Sequence, residues 1–261
     1  MKFPLFFLSM ILALTALAQP RSTLSHDASA SLQHAEAIYT SPLRYSASQW
    51  LTVGGVLSLT ALSHTLDEPV REFAQTHQTP TLTTLFSIGE LYGNPIGAGL
   101  IGGGLYLGGF FSGNTSTRLT GRAVLESVLY ASLLTQVLKM SIGRSRPYQN
   151  KGARNFNGLS WTNNQWSFPS GHTTIAFATS ASLSVRLKRP ATTVGLFVLA
   201  LLTTGHRIYD DQHWLSDTLF GAAIGTSIGL AIGHLMNEEE HGGGNLPSQA
   251  VQPIFSVQFP L

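Results

Sequence analysis

The stretch SGHTTIAFATSASLSVRL, residues 170–187, indicates both the fold and the position of a candidate site. A short polar start precedes an apolar run, which predicts a helix with Ser170 in the N-cap position. The free N–H groups at a helix start bind anions, and Gly171 lets an anion approach the backbone closely. Taken alone, the tripeptide is better explained by a simple cap followed by a partly buried histidine, His172.

A second stretch, upstream of the first, concentrates positive charge. Between residues 139 and 154 the chain has no acid and five cations: Lys139, Arg144, Arg146, Lys151 and Arg154. Uncompensated cations favour an anionic partner, and the planar arginine fork suits a phosphate group. A positively charged face in contact with lipid headgroups accounts for the same residues, and this stretch alone does not separate the two interpretations.

A third stretch, residues 206–217, combines histidines with carboxylates. A helix that starts near His213 puts Asp217 one turn further along on the same face. A carboxylate there holds one imidazole nitrogen and leaves the other free to attack an electrophile. Two alternatives stay open for this stretch. One is a purely structural pair, and the other is a metal ion with the ligands His172, His213 and either Asp210 or Asp211.

The three stretches together are far more specific than each one alone. In chain order they read Lys-x6-Arg-Pro (139–147), Pro-Ser-Gly-His (169–172) and Arg-x5-His-x3-Asp (207–217). This combination, over about residues 95–236, resembles the type 2 phosphatidic-acid phosphatase superfamily, which includes membrane lipid phosphatases, periplasmic class A acid phosphatases and vanadium haloperoxidases. One departure is His206, which stands where the family usually has a serine; we expect it to tune activity rather than abolish it.

The resemblance implies a role for each matching residue. His213 is expected to be the nucleophile, Asp217 to orient it, and His172 to act as general acid and then as base. The groups expected to hold the phosphate are Lys139, Arg146, Ser170, Gly171 and Arg207. No metal and no cofactor are implied, because the cationic side chains do what Mg²⁺ does in other phosphoryl-transfer enzymes. Arg144 is expected to lie outside the site, as a headgroup or loop contact.

The function that the resemblance implies is a metal-independent phosphatase that hydrolyses a lipid phosphate or pyrophosphate through a phosphohistidine intermediate. The implied substrates are phosphatidic acid, phosphatidylglycerol phosphate, undecaprenyl pyrophosphate and lipid A phosphate. The alternatives are a soluble periplasmic acid phosphatase of broad specificity, a vanadate-dependent haloperoxidase and a non-enzymatic lipid-binding protein. The expected partners are a membrane and a lipid phosphate. A net charge of +2 is too small to indicate nucleic-acid binding.

The composition of the 261-residue chain favours a helical membrane protein. Only 11% of the residues are charged, 43% are apolar and 26 are glycines, which excludes a disordered chain and is typical of membrane helices. The absence of cysteine excludes a disulfide scaffold and a zinc–thiolate site. The apolar runs predict an all-α transmembrane bundle of about six principal helices, over residues 50–66, 95–111, 117–142, 173–187, 191–206 and 214–236, with one or two amphipathic helices between residues 69 and 92.

Several polar residues fall inside or beside these predicted helices. Glu126 and Gln136 lie within an apolar run, which predicts hydrogen bonds between helices. His64 and His234 are expected at helix ends, close to lipid headgroups.

The termini and the charge pattern predict domains and topology. Residues 1–18 have a basic start, a short apolar run and an Ala-x-Ala exit, which predicts a signal peptide. A polar leader with at most one short helix (19–45), a helical phosphatase domain (46–236) and a polar tail (237–261) are expected to follow. The basic turn at 186–189 predicts a cytoplasmic side, so that the 143–171 loop and the site face the periplasm, in the inner membrane of a bacterial envelope. A chain that begins outside needs an even number of spans before residue 143, whereas the apolar runs predict three.

Overall fold

The computed structural model describes residues 23–242, and within them the chain is all-α, as the sequence predicts. The helices are α1 (23–40), α2 (Ala47–Ser63), α3 (Asp67–Thr76), α4 (Pro80–Gly93), α5 (Pro95–Ser112), α6 (Thr115–Ile142), α7 (Gly171–Leu187), α8 (Pro190–Tyr209) and α9 (Leu215–His241). The six principal helices that the sequence predicts correspond to α2 and α5–α9, and the amphipathic region forms α3 and α4. The predicted signal peptide, 1–18, lies outside the described residues.

The bundle has the length and surface of a membrane protein. Three of its helices, α6, α8 and α9, are long and apolar enough to cross a membrane by length and composition. Large apolar side chains face outward, among them Leu107 of α5, Leu133 of α6 and Leu201 of α8, each more than half exposed. The predicted fold class, a helical bundle of membrane type, is confirmed by this architecture.

The centre of the bundle is the contact between α7 and α9, where the two backbones touch. A Cβ atom at Gly225 would lie 2.2 Å from the carbonyl oxygen of Thr174, and one at Gly221 would lie 2.7 Å from that of Ser170. Glycine at these positions permits a separation that no side chain allows. The first turn of α9 is therefore held directly against the first turn of α7.

The long helices alternate in direction, so the bundle has two distinct ends. The connection of residues 143–170 lies at one end, here the loop end, and the turn at 188–189 lies at the other, here the turn end. At the turn end Arg186 of α7 donates hydrogen bonds to Thr120 of α6 (3.2 Å) and to Asn237 of α9 (2.6 Å). The start of α6 therefore lies beside the ends of α7 and α9.

The helix α1 is longer than the sequence predicts. The sequence analysis underestimated it because the residues on its buried face are polar. Asp27 is buried and bonds to both Arg118 and Arg122 of α6. The Nδ1 atom of buried His34 lies 2.8 Å from Oε2 of Glu126, so the prediction that Glu126 bonds between helices is confirmed. A hydropathy pattern does not register a helix whose buried face is charged, which is why residues 19–45 read as a leader with at most one short helix.

The end of α9 also extends past its predicted limit. The helix continues to His241, so residues 237–241 belong to the bundle rather than to a polar tail. Glu239 is buried and accepts two hydrogen bonds from the guanidinium of Arg122, at 2.9 and 2.5 Å. The rest of the predicted tail, residues 243–261, lies outside the described residues.

The path of the chain resolves the conflict in the predicted number of spans. The helix α1 starts at the turn end, where Asp27 pairs with Arg122, and α2 finishes at the loop end, where His64 lies 3.0 Å from Nη2 of Arg144. Next, α4 and α5 return together, and α6 makes a third passage. Residue 27 and the 143–170 connection are therefore at opposite ends. In a membrane-spanning bundle they lie on opposite sides, whereas the sequence analysis places both of them outside.

Candidate active site

The three sequence stretches meet at the loop end of the bundle. Lys139 comes from the last turn of α6, His172 from the first turn of α7, Arg207 from the last turn of α8 and Asp217 from the first turn of α9. Because neighbouring helices run in opposite directions, these four helix ends are adjacent. The segment 210–214 and the loop 143–170 bring the remaining groups over them.

The pair His213 and Asp217 has the spacing that the sequence predicts, but α9 begins two residues later, at Leu215. The Nδ1 atom of His213 lies 3.6 Å from Oδ2 of Asp217, and both side chains are buried. The same Oδ2 accepts hydrogen bonds from the backbone N–H of Trp214 (2.9 Å) and the hydroxyl of Ser167 (2.5 Å). The carboxylate is thus fixed on one side of the imidazole, and Nε2 is the nitrogen on the other side of the ring.

The prediction for Arg144 is wrong in part: this residue is buried beside the site instead of lying at a headgroup. The predicted loop contact is present, because Arg144 donates to the carbonyl of Ala153, and only the headgroup contact is wrong. Its Nη1 also donates to Oδ1 of Asp217 (2.5 Å), and its Nη2 donates to Oδ2 of Asp67 (2.6 Å). Only 1% of the Arg144 surface is exposed. The two carboxylates compensate the buried charge, and the long side chain reaches them because the chain turns inward directly after α6. The partner Asp67, at the start of α3, lies too far away in sequence for the motifs to indicate the contact.

The prediction for His64 is only half correct. It lies at a helix end, but its Nδ1 atom is 2.6 Å from Oδ2 of Asp67, inside the same polar cluster. Ser216 completes that cluster, since its N–H and hydroxyl both donate to Asp67, at 2.8 and 2.7 Å. The cluster of His64, Asp67, Arg144, Ser216 and Asp217, called here the Asp67 cluster, was not foreseen as a unit.

Lys139 is buried and points from α6 across to the start of α7. Its Nζ atom donates to the carbonyl of Trp166 at 2.6 Å. A Cβ atom at Gly171 would lie 3.7 Å from Cε of Lys139, so the amine lies close to the first N–H groups of α7. The ammonium group and these N–H groups together make this a favourable position for an anion.

The guanidinium groups of Arg146 and Arg207 leave donors unused. Arg146 is oriented by two amide oxygens, that of Gln212 (2.6 Å to Nη1) and that of Asn163 (2.8 Å to Nη2). The Nε atoms of Arg146 and Arg207 are nevertheless buried and have no hydrogen-bond partner. A buried donor without a partner is costly, and such donors in a folded protein are generally reserved for a ligand.

The Ser170 motif adopts the predicted position with one difference. Ser170 is the N-cap residue of α7, but its hydroxyl forms no cap hydrogen bond and lies 3.0 Å from the hydroxyl of Thr173. Its backbone N–H donates to the carbonyl oxygen of Asp217 at 3.0 Å, which ties the α7 start to α9.

The two histidines lie in a strongly positive field. Burial lowers the pKa of His213 well below its usual range, and the charges of Lys139, Arg146 and Arg207 lower it further. Burial, followed by Arg207 and Lys139, lowers the pKa of His172 to about 3. Both rings are therefore neutral near pH 7 in the free protein, and a neutral imidazole has the lone pair that a nucleophile needs.

The residue His206 lies beside this field, at the position where the sequence departs from the motif. Its Nε2 atom is 3.6 Å from a carboxylate oxygen of Glu90 on α4, and its Nδ1 is buried without a partner. The Nε2 side of the ring therefore faces α4. Together with His213, His206 is a histidine close to His172.

One of the two carboxylates in the metal-ion alternative, Asp211, is already paired. Asp211 accepts two hydrogen bonds from Arg71 of α3, both at 2.7 Å, so its oxygens are already used. Within residues 23–242, the group of three potential ligands that lie close together is His26, Asp27 and Glu239, at the turn end. There Arg118 and Arg122 already occupy the carboxylates.

Two of the five predicted cations do not join the site. Lys151 and Arg154 are exposed on the loop 143–170. The structure instead adds residues that the motifs do not indicate, namely Asp67, Asn163, Ser167 and Gln212. Asn163, Ser167 and Gln212 each orient a motif residue, whereas Asp67 orients Arg144, and the only sequence signal of all four is that they are polar residues outside the apolar runs.

Part of the chain is similar in sequence to known proteins. Residues 120–240 match the model of the PAP2 superfamily. Over 65 residues the chain is 42% identical to the lipid A 1-phosphatase of Porphyromonas gingivalis, which covers 24% of this chain and 15% of that protein. Over 121 residues it is 34% identical to a PA-phosphatase related-family protein of Dictyostelium discoideum, covering 40% and 44%. The chain thus matches less than half the length of these curated relatives.

A solved structure has the same fold. The crystal structure of a transmembrane PAP2 type phosphatidylglycerolphosphate phosphatase from Bacillus subtilis aligns with a TM-score of 0.52 and 23% sequence identity. The alignment covers 75% of this chain and 95% of that chain. Residues 120–240, the segment that matches the PAP2 superfamily, hold every motif residue from Lys139 to Asp217.

Proposed function

We propose that the protein is a metal-independent phosphatase of lipid phosphates or pyrophosphates that works through a phosphohistidine at His213. The observation that carries the proposal is the position of the buried His213 imidazole, whose Nδ1 lies 3.6 Å from the Asp217 carboxylate, in the field of Lys139, Arg146 and Arg207. The unpartnered Nε atoms of Arg146 and Arg207 support a phosphate group as the missing partner.

The phosphate binds by its nonbridging oxygens. Arg146, Arg207 and Lys139 supply positive charge, and the N–H of Gly171 with the hydroxyl of Ser170 supplies further hydrogen bonds. These donors are fixed before the substrate arrives, by Gln212 and Asn163 on Arg146 and by the Trp166 carbonyl on Lys139. They therefore stabilise the five-coordinate transition state without rearrangement.

In the first step the Nε2 lone pair of His213 forms a bond to phosphorus, and the bond from phosphorus to the leaving oxygen breaks. His172 gives a proton to that leaving oxygen. The low pKa of His172 in the free protein does not oppose this role, because a bound phosphate brings negative charge that offsets the surrounding cations and raises the pKa again. Asp217 stabilises the positive charge that His213 acquires.

In the second step the phosphohistidine is hydrolysed. His172, now neutral, takes a proton from a water molecule as the water oxygen attacks phosphorus. The bond between phosphorus and Nε2 of His213 breaks, and inorganic phosphate leaves. The second step thus leaves His213 neutral and His172 protonated, as they are in the substrate complex. His172 loses this proton to solvent when phosphate leaves, and no metal ion takes part in either step.

A lipid substrate agrees with the place of the site in the bundle. The site lies at the ends of helices whose outward faces are apolar, so a phosphate that enters it belongs to a molecule at a membrane surface. The relative from Porphyromonas gingivalis is named for lipid A, and the solved structure from Bacillus subtilis for phosphatidylglycerolphosphate. We propose substrates of this class, with phosphatidic acid and undecaprenyl pyrophosphate included, at the periplasmic face of the inner membrane.

The test compares phosphate release from lipid phosphates and from a soluble monoester, with and without EDTA. We expect EDTA-resistant activity that prefers the lipid and falls by about 10³-fold or more in His213→Ala. The exposed carboxylate variant Glu72→Gln is the matched control and should keep full activity. Activity that survives in His213→Ala, or that EDTA removes, would contradict the proposal, and a preference for the soluble monoester would favour an acid phosphatase.

A further inference from the structure

The Asp67 cluster connects the site to the helix α3, which lies outside residues 120–240, the segment that matches the PAP2 superfamily. Asp67 is the first residue of α3, which the match at 120–240 does not include. Its carboxylate is fully buried and accepts hydrogen bonds from Arg144 and Ser216. Arg144 in turn donates to Asp217, so a continuous chain of contacts runs from α3 to the carboxylate beside His213.

We infer that Asp67 and Arg144 are positioning residues that set the orientation and the charge of Asp217, and through it the reactivity of His213. The inference rests on the proposed function of His213 and deepens it. Neither residue touches the position proposed for the phosphate, because both reach the reaction only through Asp217.

The geometry explains how the orientation is set. Arg144 occupies Oδ1 of Asp217 at 2.5 Å and also donates to the hydroxyl of Ser216 at 2.8 Å. Because Oδ1 is held there, Oδ2 is the oxygen that lies beside Nδ1 of His213. The guanidinium itself is fixed by the Asp67 carboxylate and by two hydrogen bonds to the carbonyl of Ala153, at 3.1 and 2.8 Å.

The charge balance explains why two acids are needed. Arg144 and Asp217 alone would form a neutral pair, and the carboxylate would have little field left to stabilise a cationic His213. Asp67 takes a share of the Arg144 charge, so that the three groups together are negative and Asp217 can act on the imidazole. Buried charges at this density interact strongly, because little water screens them.

The rest of α3 is fastened to the same loop end. Arg71 holds Asp211, Gln75 donates to the carbonyl of Tyr209 at 3.1 Å, and Glu68 accepts from the N–H of Ala153 at 2.8 Å. The helix α3 therefore contacts two of the three stretches that bear motif residues, the one at 139–154 and the one at 206–217. These contacts fix the position of α3, and with it the position of the buried Asp67 carboxylate at its first residue.

The test uses the opposite charges of the two residues. The charged or titratable groups around His213 are Lys139, Arg146, His172, Arg207 and Asp217, and those around Arg144 are His64, Asp67 and Asp217. Asp67→Asn removes a negative charge, so the acid limb of kcat/KM should move to lower pH. Arg144→Gln removes a positive charge, so the limb should move to higher pH, and the double variant should return towards the wild type.

The kinetic constants give a second readout. We expect Asp67→Asn to lower kcat by about tenfold and to leave KM within about twofold, because the substrate contacts are untouched. Glu72→Gln, an exposed carboxylate on the same helix, is the matched control and should change neither constant. Acid limbs that move in the same direction or do not move, with activity lost only in proportion to stability, would overturn the inference.

Failure of the inference is distinguishable from failure of the proposed function. The wild type and His213→Ala decide the function, and the Asp67 and Arg144 variants decide the positioning role. If the wild type releases no phosphate, NMR titration of the His213 ring in Asp67→Asn and Arg144→Gln still measures the charge coupling. Opposite shifts of its pKa would support the inference, and equal or absent shifts would overturn it.

Discussion

Nδ1 of His213 lies 3.6 Å from Oδ2 of Asp217, while the carboxylate is held by Arg144, Ser167 and the N–H of Trp214. The donors fix the carboxylate firmly, but the distance to the ring leaves its contact with His213 incomplete in the free protein. In the proposed mechanism the contact is free to shorten when His213 acquires positive charge. Asp217 would then be most effective after His213 has begun to react.

Asp217→Asn is expected to lower kcat by about 10³-fold, because the amide cannot stabilise a cationic imidazole and presents the wrong hydrogen-bond pattern. KM for the lipid should change far less, since the phosphate-binding cations remain. Steady-state kinetics of the purified protein check this. The control is Asp210→Asn, which removes an exposed carboxylate three residues from His213. Equal loss in both variants would indicate a general effect of charge, and strong loss only at Asp210 would favour a metal ligand.

The pH dependence of activity should reflect the positive field. Since burial and nearby cations lower the pKa of His213, this ring stays neutral to a pH well below its usual value of 6.5. The acid limb of kcat/KM, which reports the free enzyme, is therefore expected below pH 6.5. The limb of kcat should lie at higher pH, because the bound phosphate raises the pKa of both histidines. Coincident limbs above pH 6.5 would contradict this account of the site.

The structure brings together the residues that the motifs single out for the proposed phosphate site, and local spacing explains why. Lys139, Arg146 and Arg207 are each a fixed number of residues from a helix end, so local sequence spacing determines where they point. Arg144 was misplaced because its partner Asp67 is 77 residues away in sequence. Spacing within a motif carries no information about a partner on another helix.

The helices were predicted where burial and hydropathy coincide, and missed where they diverge. The helix α1 buries Asp27 and His34 against Arg122 and Glu126, so its inward face is polar. For the same reason the last turn of α9, with buried Glu239, read as a solvated tail. Two opposite charges on different helices neutralise each other only in the folded protein. A hydropathy window along the sequence counts each of them as a separate polar residue.

Gly225→Ala is expected to destabilise the bundle, because the added methyl would lie 2.2 Å from the Thr174 carbonyl and push α9 away from α7. We expect a loss of about 1–3 kcal/mol in the free energy of unfolding, typical of overpacking. Gly195→Ala on α8 is the matched control, since nothing lies within 4 Å of its Cβ position. It should be neutral or stabilise by about 0.5–1 kcal/mol through helix propensity. Thermal unfolding in detergent measures both, and equal stability of the two variants would refute the close contact.

The orientation of the bundle can be tested cleanly, because the chain has no cysteine. Asn157 is exposed at the loop end and Lys188 at the turn end, so a single cysteine at either position is accessible to a labelling reagent. If the site faces the periplasm, an impermeant maleimide should label Asn157→Cys in intact cells and Lys188→Cys only after the inner membrane is opened. The basic turn at 188–189 then lies in the cytoplasm, as the distribution of positive charge predicts.

The labelling experiment also tests whether the positive charges at the turn end set the orientation of the bundle in the membrane. Arg118, Arg122 and Arg186 are paired with Asp27, Glu239 and Glu240, so within residues 23–242 Lys188 and Arg189 are the exposed lysine and arginine of this end. Reversed labelling would show that two unpaired cations are too few to set the orientation, and it would put the site on the cytoplasmic face. Labelling of both variants in intact cells would show instead that the bundle does not separate two compartments, which would favour the soluble acid phosphatase.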